Sequence, residues 1–308
     1  MADLSTPIGA LSLVNPLMAA SGCFGYGVEY AGAFDLSTLG AVVVKGLFLS
    51  EREGHAPPRI VETPAGMLNA IGLQGIGVHR FVKERLPELR ALGAVTVVNV
   101  CGVTLDEYCE VSRVLSDHEG VAAIELNISC PNIKEGGIAF GNSPDMSARV
   151  VAACRASTSK PIITKLSPNQ TDIRENARRC IEAGTDGLAV INTLVGMAID
   201  AEKRRPVIAN VQAGLSGPAI KPIALLKVHQ VYQEARRHKV PIIGQGGIAS
   251  ATDAIEFLIA GASAIGIGTA LFYDPLICRS VNAGIADYLQ RHGIARVADL
   301  VGTLQAGS

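Results

Sequence analysis

Eight short, almost uninterrupted runs of aliphatic and β-branched residues recur along this 308-residue chain. They fall at Leu17–Ser21, Ala41–Gly46, Val95–Val100, Ala122–Ser129, Ile162–Ser167, Gly187–Thr193, Ile242–Gly247 and Ala264–Thr269. Such runs suit strands covered on both faces, as in a parallel sheet. Helical periods with readable ends separate them. Thr104-Leu-Asp-Glu107 is a capping box, Ser143-Pro144 an N-cap followed by proline, and Gly184 and Gly261 stand where glycine stops a helix. Strand–helix units in this number imply an α/β chain closed into a (β/α)8 TIM barrel. A doubly wound open sheet is the alternative, but no G-x-G-x-x-G follows the first strand. Ahead of that strand, the chain reads as a short N-terminal hairpin turning at Gly9-Ala10. With no linker or low-complexity tract, residues 1–308 are expected to form a single domain.

Composition narrows the function. Residues are 48% hydrophobic and 18% charged, enough for a large core, yet no apolar run reaches the ~18–20 residues of a spanning helix. The first residues carry neither the basic segment nor the apolar stretch of a signal peptide. A net charge of −1 offers nothing to nucleic acid or an anionic membrane. The seven cysteines, at 23, 101, 109, 130, 154, 180 and 278, include no C-x-x-C pair, so no metal site is expected and a reducing cytoplasm is the natural compartment.

Polar side chains interrupt the apolar strands at one end. Lys45, Asn99, Asn127, Lys165 and Asn192 each stand at or near the C-terminal end of strands 2 to 6. In a barrel these ends converge at the mouth, where catalytic sites are built. Buried together, two ammonium groups and three amides would cost several kcal/mol unless a polar ligand satisfied them. Strands 7 and 8 end instead in glycines, Gly244-Gln-Gly246-Gly247 and Gly266-Ile-Gly268-Thr269, leading into helices at Ser250 and near Asp274. Glycine lets backbone N–H groups approach an anion closely, and these loops form the usual phosphate seat of the fold. A phosphate there with lysines on strands 2 and 5 suits FMN, with Lys165 beside the N1/O2 edge of the flavin. Schiff-base chemistry at a barrel lysine is the competing use. Three long connections, about 47–76, 130–143 and 194–216, follow strands and so lie on the same face.

Strand 4 runs into Asn127-Ile128-Ser129-Cys130-Pro131-Asn132. With Lys165-Leu-Ser-Pro-Asn169 and Ile191-Asn192-Thr193, this segment resembles the dihydroorotate dehydrogenase family, in particular its soluble class 1 members, whose active-site base is cysteine. The resemblance spans nearly the whole chain and is greatest to class 1B, whose catalytic subunit works with an electron-transfer subunit. Gly75-Ile76, Gln212-Ala213 and Gln245 depart from the family pattern.

The resemblance implies FMN contacts at Ser21, Lys45, Gly46, Asn99, Asn127, Lys165, Ile191, Gly217, Gly246, Gly247, Gly268 and Thr269. It implies substrate contacts at Lys45, Asn69, Ala70, Ile71, Gly72, Leu73, Asn127, Asn192 and Thr193, with Asn132 a weaker candidate. Cys130 would take a proton from dihydroorotate while hydride leaves to the flavin, with Lys165 assisting. Gly136 and Gly137 would let the 130–143 loop open and close. Class 1B membership further implies a homodimer joined to subunits carrying FAD and a 2Fe–2S cluster, with NAD+ as final acceptor. Rival readings are a class 1A enzyme using fumarate, a dihydropyrimidine dehydrogenase-like flavoenzyme and a catalytically silent FMN-binding subunit.

Overall fold

A computed structural model of the protein describes residues 2–128 and 143–305. Eight parallel strands close into a barrel: β1 Leu17–Ala19, β2 Ala41–Leu47, β3 Thr96–Val100, β4 Val121–Asn127, β5 Ile162–Leu166, β6 Gly187–Val190, β7 Ile242–Gln245 and β8 Ala264–Ile267. Each strand pairs with its sequence neighbours, and β8 pairs with β1. The barrel and its N-terminal hairpin, Thr6–Ile8 against Leu11–Leu13, match the sequence expectation. Gly9 makes the hairpin turn with φ +59.

Helices on the outside are α1 Leu86–Ala91, α2 Leu105–Ser116, α3 Pro144–Ser157, α4 Ile173–Glu182, α5 Lys221–His238, α6 Ala251–Ala260 and α7 Ile277–Arg291. β1 is followed only by two 3-10 turns, Val28–Tyr30 and Leu36–Thr38, so the first unit lacks a full helix. Capping follows side-chain chemistry. Thr104 accepts from the Glu107 N–H, Ser143 from Met146 and Ser250 from Asp253. Glu107 reaches back to the Val103 N–H instead of Thr104, one residue beyond a reciprocal box.

Strand alternation divides the core in two. One belt of inward side chains, one from each strand, is Met18, Val43, Val97, Ala123, Ile163, Ala189, Ile243 and Ala264. Ile8 and Leu13 of the hairpin join it and close the N-terminal end of the barrel. Residues of opposite parity, such as Val42, Val98, Ile124 and Leu188, pack outward against the helices.

The connections 47–76 and 194–216 form more structure than their Gly and Pro content suggests. They pair with each other as a four-stranded antiparallel sheet, in the order Leu194–Gly196, Ala213–Ser216, Gly66–Asn69, Ile60–Thr63. Within Gly66–Asn69 the faces alternate. Met67 and Asn69 line a cavity at the barrel mouth, while Leu68 turns away into a small core with Ile208 and Ala213.

Phe257 on α6 is fully buried and lies over Gly244 of β7, where an added Cβ would come 2.7 Å from the ring. Phe257→Ala should therefore leave a cavity and cost about 3–5 kcal/mol. Urea unfolding should show a lowered midpoint with an unchanged slope. A loss under ~1 kcal/mol would mean that α6 does not depend on this contact.

Candidate functional site

The inward belt explains why the polar residues converge. Moving two residues along each strand from a belt position reaches the next inward layer. From Val43 this gives Lys45, from Val97 Asn99, from Ile163 Lys165 and from Ile243 Gln245. On β4, Ala123 is followed inward by Glu125 and then Asn127. Register brings these neighbours together: Asn99 stands opposite Glu125, and Asn127 opposite Lys165.

Glu125 is the residue that sequence reading missed. It is 2% exposed, and three donors face its Oε1. Asn99 Nδ2 donates at 2.6 Å, the Ser21 hydroxyl at 3.1 Å, and Lys165 Nζ lies 3.7 Å away. Lys165, 5% exposed, also donates to Ser21 Oγ at 3.1 Å. From Asn99 the contacts continue across the mouth. Asn127 Nδ2 donates to Asn99 Oδ1 at 3.2 Å, and Asn192 Nδ2 to Asn127 Oδ1 at 3.4 Å. The Tyr108 hydroxyl of α2 holds the end of β4 by donating to the Asn127 carbonyl at 2.7 Å. The polar layer is thus partly neutralised from within, whereas the strand-end pattern pointed to a polar ligand. The signal for Glu125 was its parity with Asn127 inside an apolar strand.

Two connected cavities open over this layer. One, of about 310 Å³, is lined by Lys45, Gly46, Asn99 and Asn127 from the strands. Asn69, Ile71, Gly72 and Leu73 from the first excursion complete it. Ala70 does not line it, because alternation turns Ala70 into the small core beside Leu68. The other, of about 380 Å³, is lined by Ile191, Gly217, Gly246, Gly247, Gly268 and Thr269. Ser21, Lys165, Asn192 and Thr193 border both.

The second cavity has the character of an anion seat. Gly246 and Gly247 have φ of +128 and +78, and a Cβ on Gly247 would meet the Gly217 carbonyl at 2.8 Å. No described group accepts from the Gly247 or Gly268 N–H. The N-terminus of α6 contributes less than its position suggests. Asp253 in its first turn accepts from the Ala249 N–H and the Ser250 hydroxyl just ahead of the helix, and Lys221 pairs with Asp253 at 2.6 Å. After β8, helical geometry begins at Ala270, immediately beyond Thr269, rather than near Asp274. Thr269 donates to Ser216 Oγ at 2.8 Å, tying this end to the excursion 194–216. In the wall of this cavity Gln245 is 5% exposed, and its Nε2 has no partner among the described residues.

Lys45 makes no ion pair among the described residues, and burial, then the nearby Arg59, holds its pKa below the ordinary lysine range. Cys130, with Asn132 and the rest of the connection 130–143 up to residue 142, lies outside the described residues. Among the described cysteines, Cys23 lines both cavities, but burial pushes its thiol up to about 11 despite the opposing charge of Lys165. Cys154, Cys180 and Cys278 are buried and pushed up to about 12, as suits structural thiols.

Known proteins resemble this chain in sequence. A family model described as Dihydroorotate dehydrogenase matches residues 3–289. "Dihydroorotate dehydrogenase B (NAD(+)), catalytic subunit" of Geotalea daltonii is 54% identical over 303 residues, covering 98% of each chain. Proteins of the same name come from Porphyromonas gingivalis and Bacteroides thetaiotaomicron. The first is 53% identical over 294 residues, covering 96% of this chain and 95% of that one. The second is 49% identical over 305 residues, covering 99% of this chain and all of that one. Barrel and likeness together define an oxidoreductase of the flavin-dependent kind. The chain belongs to the dihydroorotate dehydrogenase family.

A thiol held near 11 stays protonated at neutral pH and reacts only through its small thiolate fraction. Labelling of Cys23 by iodoacetamide, followed by peptide mass spectrometry, should accelerate about tenfold per pH unit up to roughly pH 10. A plateau near the ordinary thiol value of about 8.5 would contradict the burial argument.

Proposed function

We propose that this chain is the FMN-bearing catalytic subunit of a class 1B enzyme, oxidising dihydroorotate to orotate in pyrimidine biosynthesis, with NAD+ as final acceptor through a partner. The observation that carries this reading is the amide and ammonium layer over the barrel belt, set beside a glycine-lined anion seat. Orotate presents a carboxylate and an imide edge, which call for donors and acceptors together, and asparagine supplies both on a short stem.

The residues present fit FMN. The Gly247 and Gly268 N–H groups, unpaired among the described residues, suit a phosphate, and Gln245 Nε2 is a buried donor without an acceptor among those residues. Ser21, Lys45, Gly46, Asn99, Asn127, Lys165, Ile191, Gly217, Gly246, Gly247, Gly268 and Thr269 would hold the cofactor. When bound, it supplies the acceptor for the hydride leaving substrate C6. Lys45, Asn69, Ile71 to Leu73, Asn127, Asn192 and Thr193 would bind and orient the substrate. Ala70 would act only through its backbone. Cys130, assigned from sequence, would remove the C5 proton, and Lys165 would stabilise the negative charge developing opposite it.

The partner assignment draws on the relatives' printed names, which call them catalytic subunits of NAD(+) enzymes. Phe272, Tyr273 and Leu276 are exposed, and the first two border the cavities, which supports docking of an FAD/2Fe–2S subunit there. Val195, Met197, Ile199 and Val211 give the excursion 194–216 an apolar face suited to pairing two copies. No helix among the described residues is long and apolar enough to cross a membrane, and we assign the chain to the cytoplasm.

The isolated chain should turn over dihydroorotate with an artificial dye while reducing NAD+ negligibly, and the partner subunit should restore NAD+ reduction. Cys130→Ala should lower dye turnover by about 10²–10⁴-fold at unchanged FMN content. Brisk turnover with fumarate would instead indicate class 1A. Efficient NAD+ reduction by the lone chain, or full activity of Cys130→Ala, would refute the assignment.

A further inference from the structure

We infer that Glu125 is a positioning residue that sets which way the asparagine amides of the substrate site face. The inference rests on the function proposed above and adds a residue to it.

An ionised carboxylate accepts hydrogen bonds and cannot donate, whereas a primary amide does both and can be turned over at little steric cost. Asn99 faces Glu125 Oε1 at 2.6 Å, so it must present Nδ2 there and Oδ1 on its other side. That oxygen accepts from Asn127 Nδ2, and Asn127 Oδ1 in turn accepts from Asn192 Nδ2. At the far end, Asn192 Oδ1 accepts from the Thr193 backbone N–H at 2.8 Å, a group that only donates. The relay Asn192 to Asn127 to Asn99 to Glu125 is therefore pinned at both ends by groups of fixed polarity. A second relay, Lys165 to Ser21 to Glu125, ends on the same oxygen.

Two consequences follow for the reaction. The edge that Asn127 and Asn192 offer to substrate is decided one pleat deeper, by a residue that does not line either cavity. Glu125 also pairs with Lys165, 3.7 Å from its ammonium, and both side chains are buried. Loss of its charge would leave Lys165 uncompensated and more able to stabilise negative charge on a neighbouring group.

Glu125→Gln tests this at constant shape, because the new amide can donate and removes the fixed polarity. In FMN-loaded protein, orotate affinity should be read from the flavin absorbance change, and the midpoint potential from dye-coupled reduction. We expect Glu125→Gln to retain FMN at a lowered melting temperature, raise the orotate Kd at least tenfold, and move the midpoint potential positive. Glu125→Asp, still an acceptor, should restore most of the orotate affinity. If Glu125→Gln does not accumulate, Glu125→Asp against Glu125→Asn makes the same comparison. An orotate Kd within twofold of wild type with an unmoved potential would overturn the inference. A lowered melting temperature with unchanged orotate binding would do so too, since it marks a merely structural role. Wild-type protein that takes up neither FMN nor orotate would instead overturn the functional reading on which the inference stands.

Discussion

A carboxylate and an ammonium buried in the same barrel constrain everything built above them. Desolvating either alone costs several kcal/mol, and deleting one partner of such a pair typically costs about 3–5 kcal/mol. Glu125 and Lys165 are tolerable because Ser21, in the turn after β1, and Asn99 of β3 hydrogen-bond to the pair. Strands β3, β4 and β5 are thereby required to meet in one register. The belt beneath is wholly apolar, so the polar layer rests on a dry floor where electrostatic interactions are strong.

Above that layer the architecture separates two tasks. Strands 7 and 8 end in glycines that line one cavity, while strands 2 to 6 end in amide and ammonium side chains that line its neighbour. The antiparallel sheet made from the two excursions walls the second task off from solvent. Only part of the polar layer is self-satisfied. Lys45 and Gln245 Nε2 have no partner among the described residues, and these are the groups a bound cofactor or substrate would be expected to pair.

How much of this was legible follows from where the physics is local. The barrel could be read because two-sided burial forces continuous apolar runs, and helix caps such as Thr104 and Ser250 are local chemistry. The excursion sheet could not be read, since its strands are three- to four-residue pieces with several glycines whose pairing partners lie some 145 residues apart, as with Asn69 and Gly214. Ala70 was assigned to substrate by its place in a motif, whereas strand alternation turns it away. Glu125 escaped because attention fell on strand ends, and its significance depends on the cross-strand register with Asn99. The capture of the Ala249 N–H by Asp253, just ahead of α6, likewise needs coordinates.

The central claim is that this barrel mouth brings a flavin and dihydroorotate together for hydride removal. The most direct test is an anaerobic titration of the FMN-loaded chain with dihydroorotate, following flavin absorbance and orotate release together. The account predicts that oxidised-flavin absorbance is lost as orotate appears, one for one, without any partner or added acceptor. A flavin that stays oxidised in the presence of saturating dihydroorotate, in protein shown to bind orotate, would contradict it.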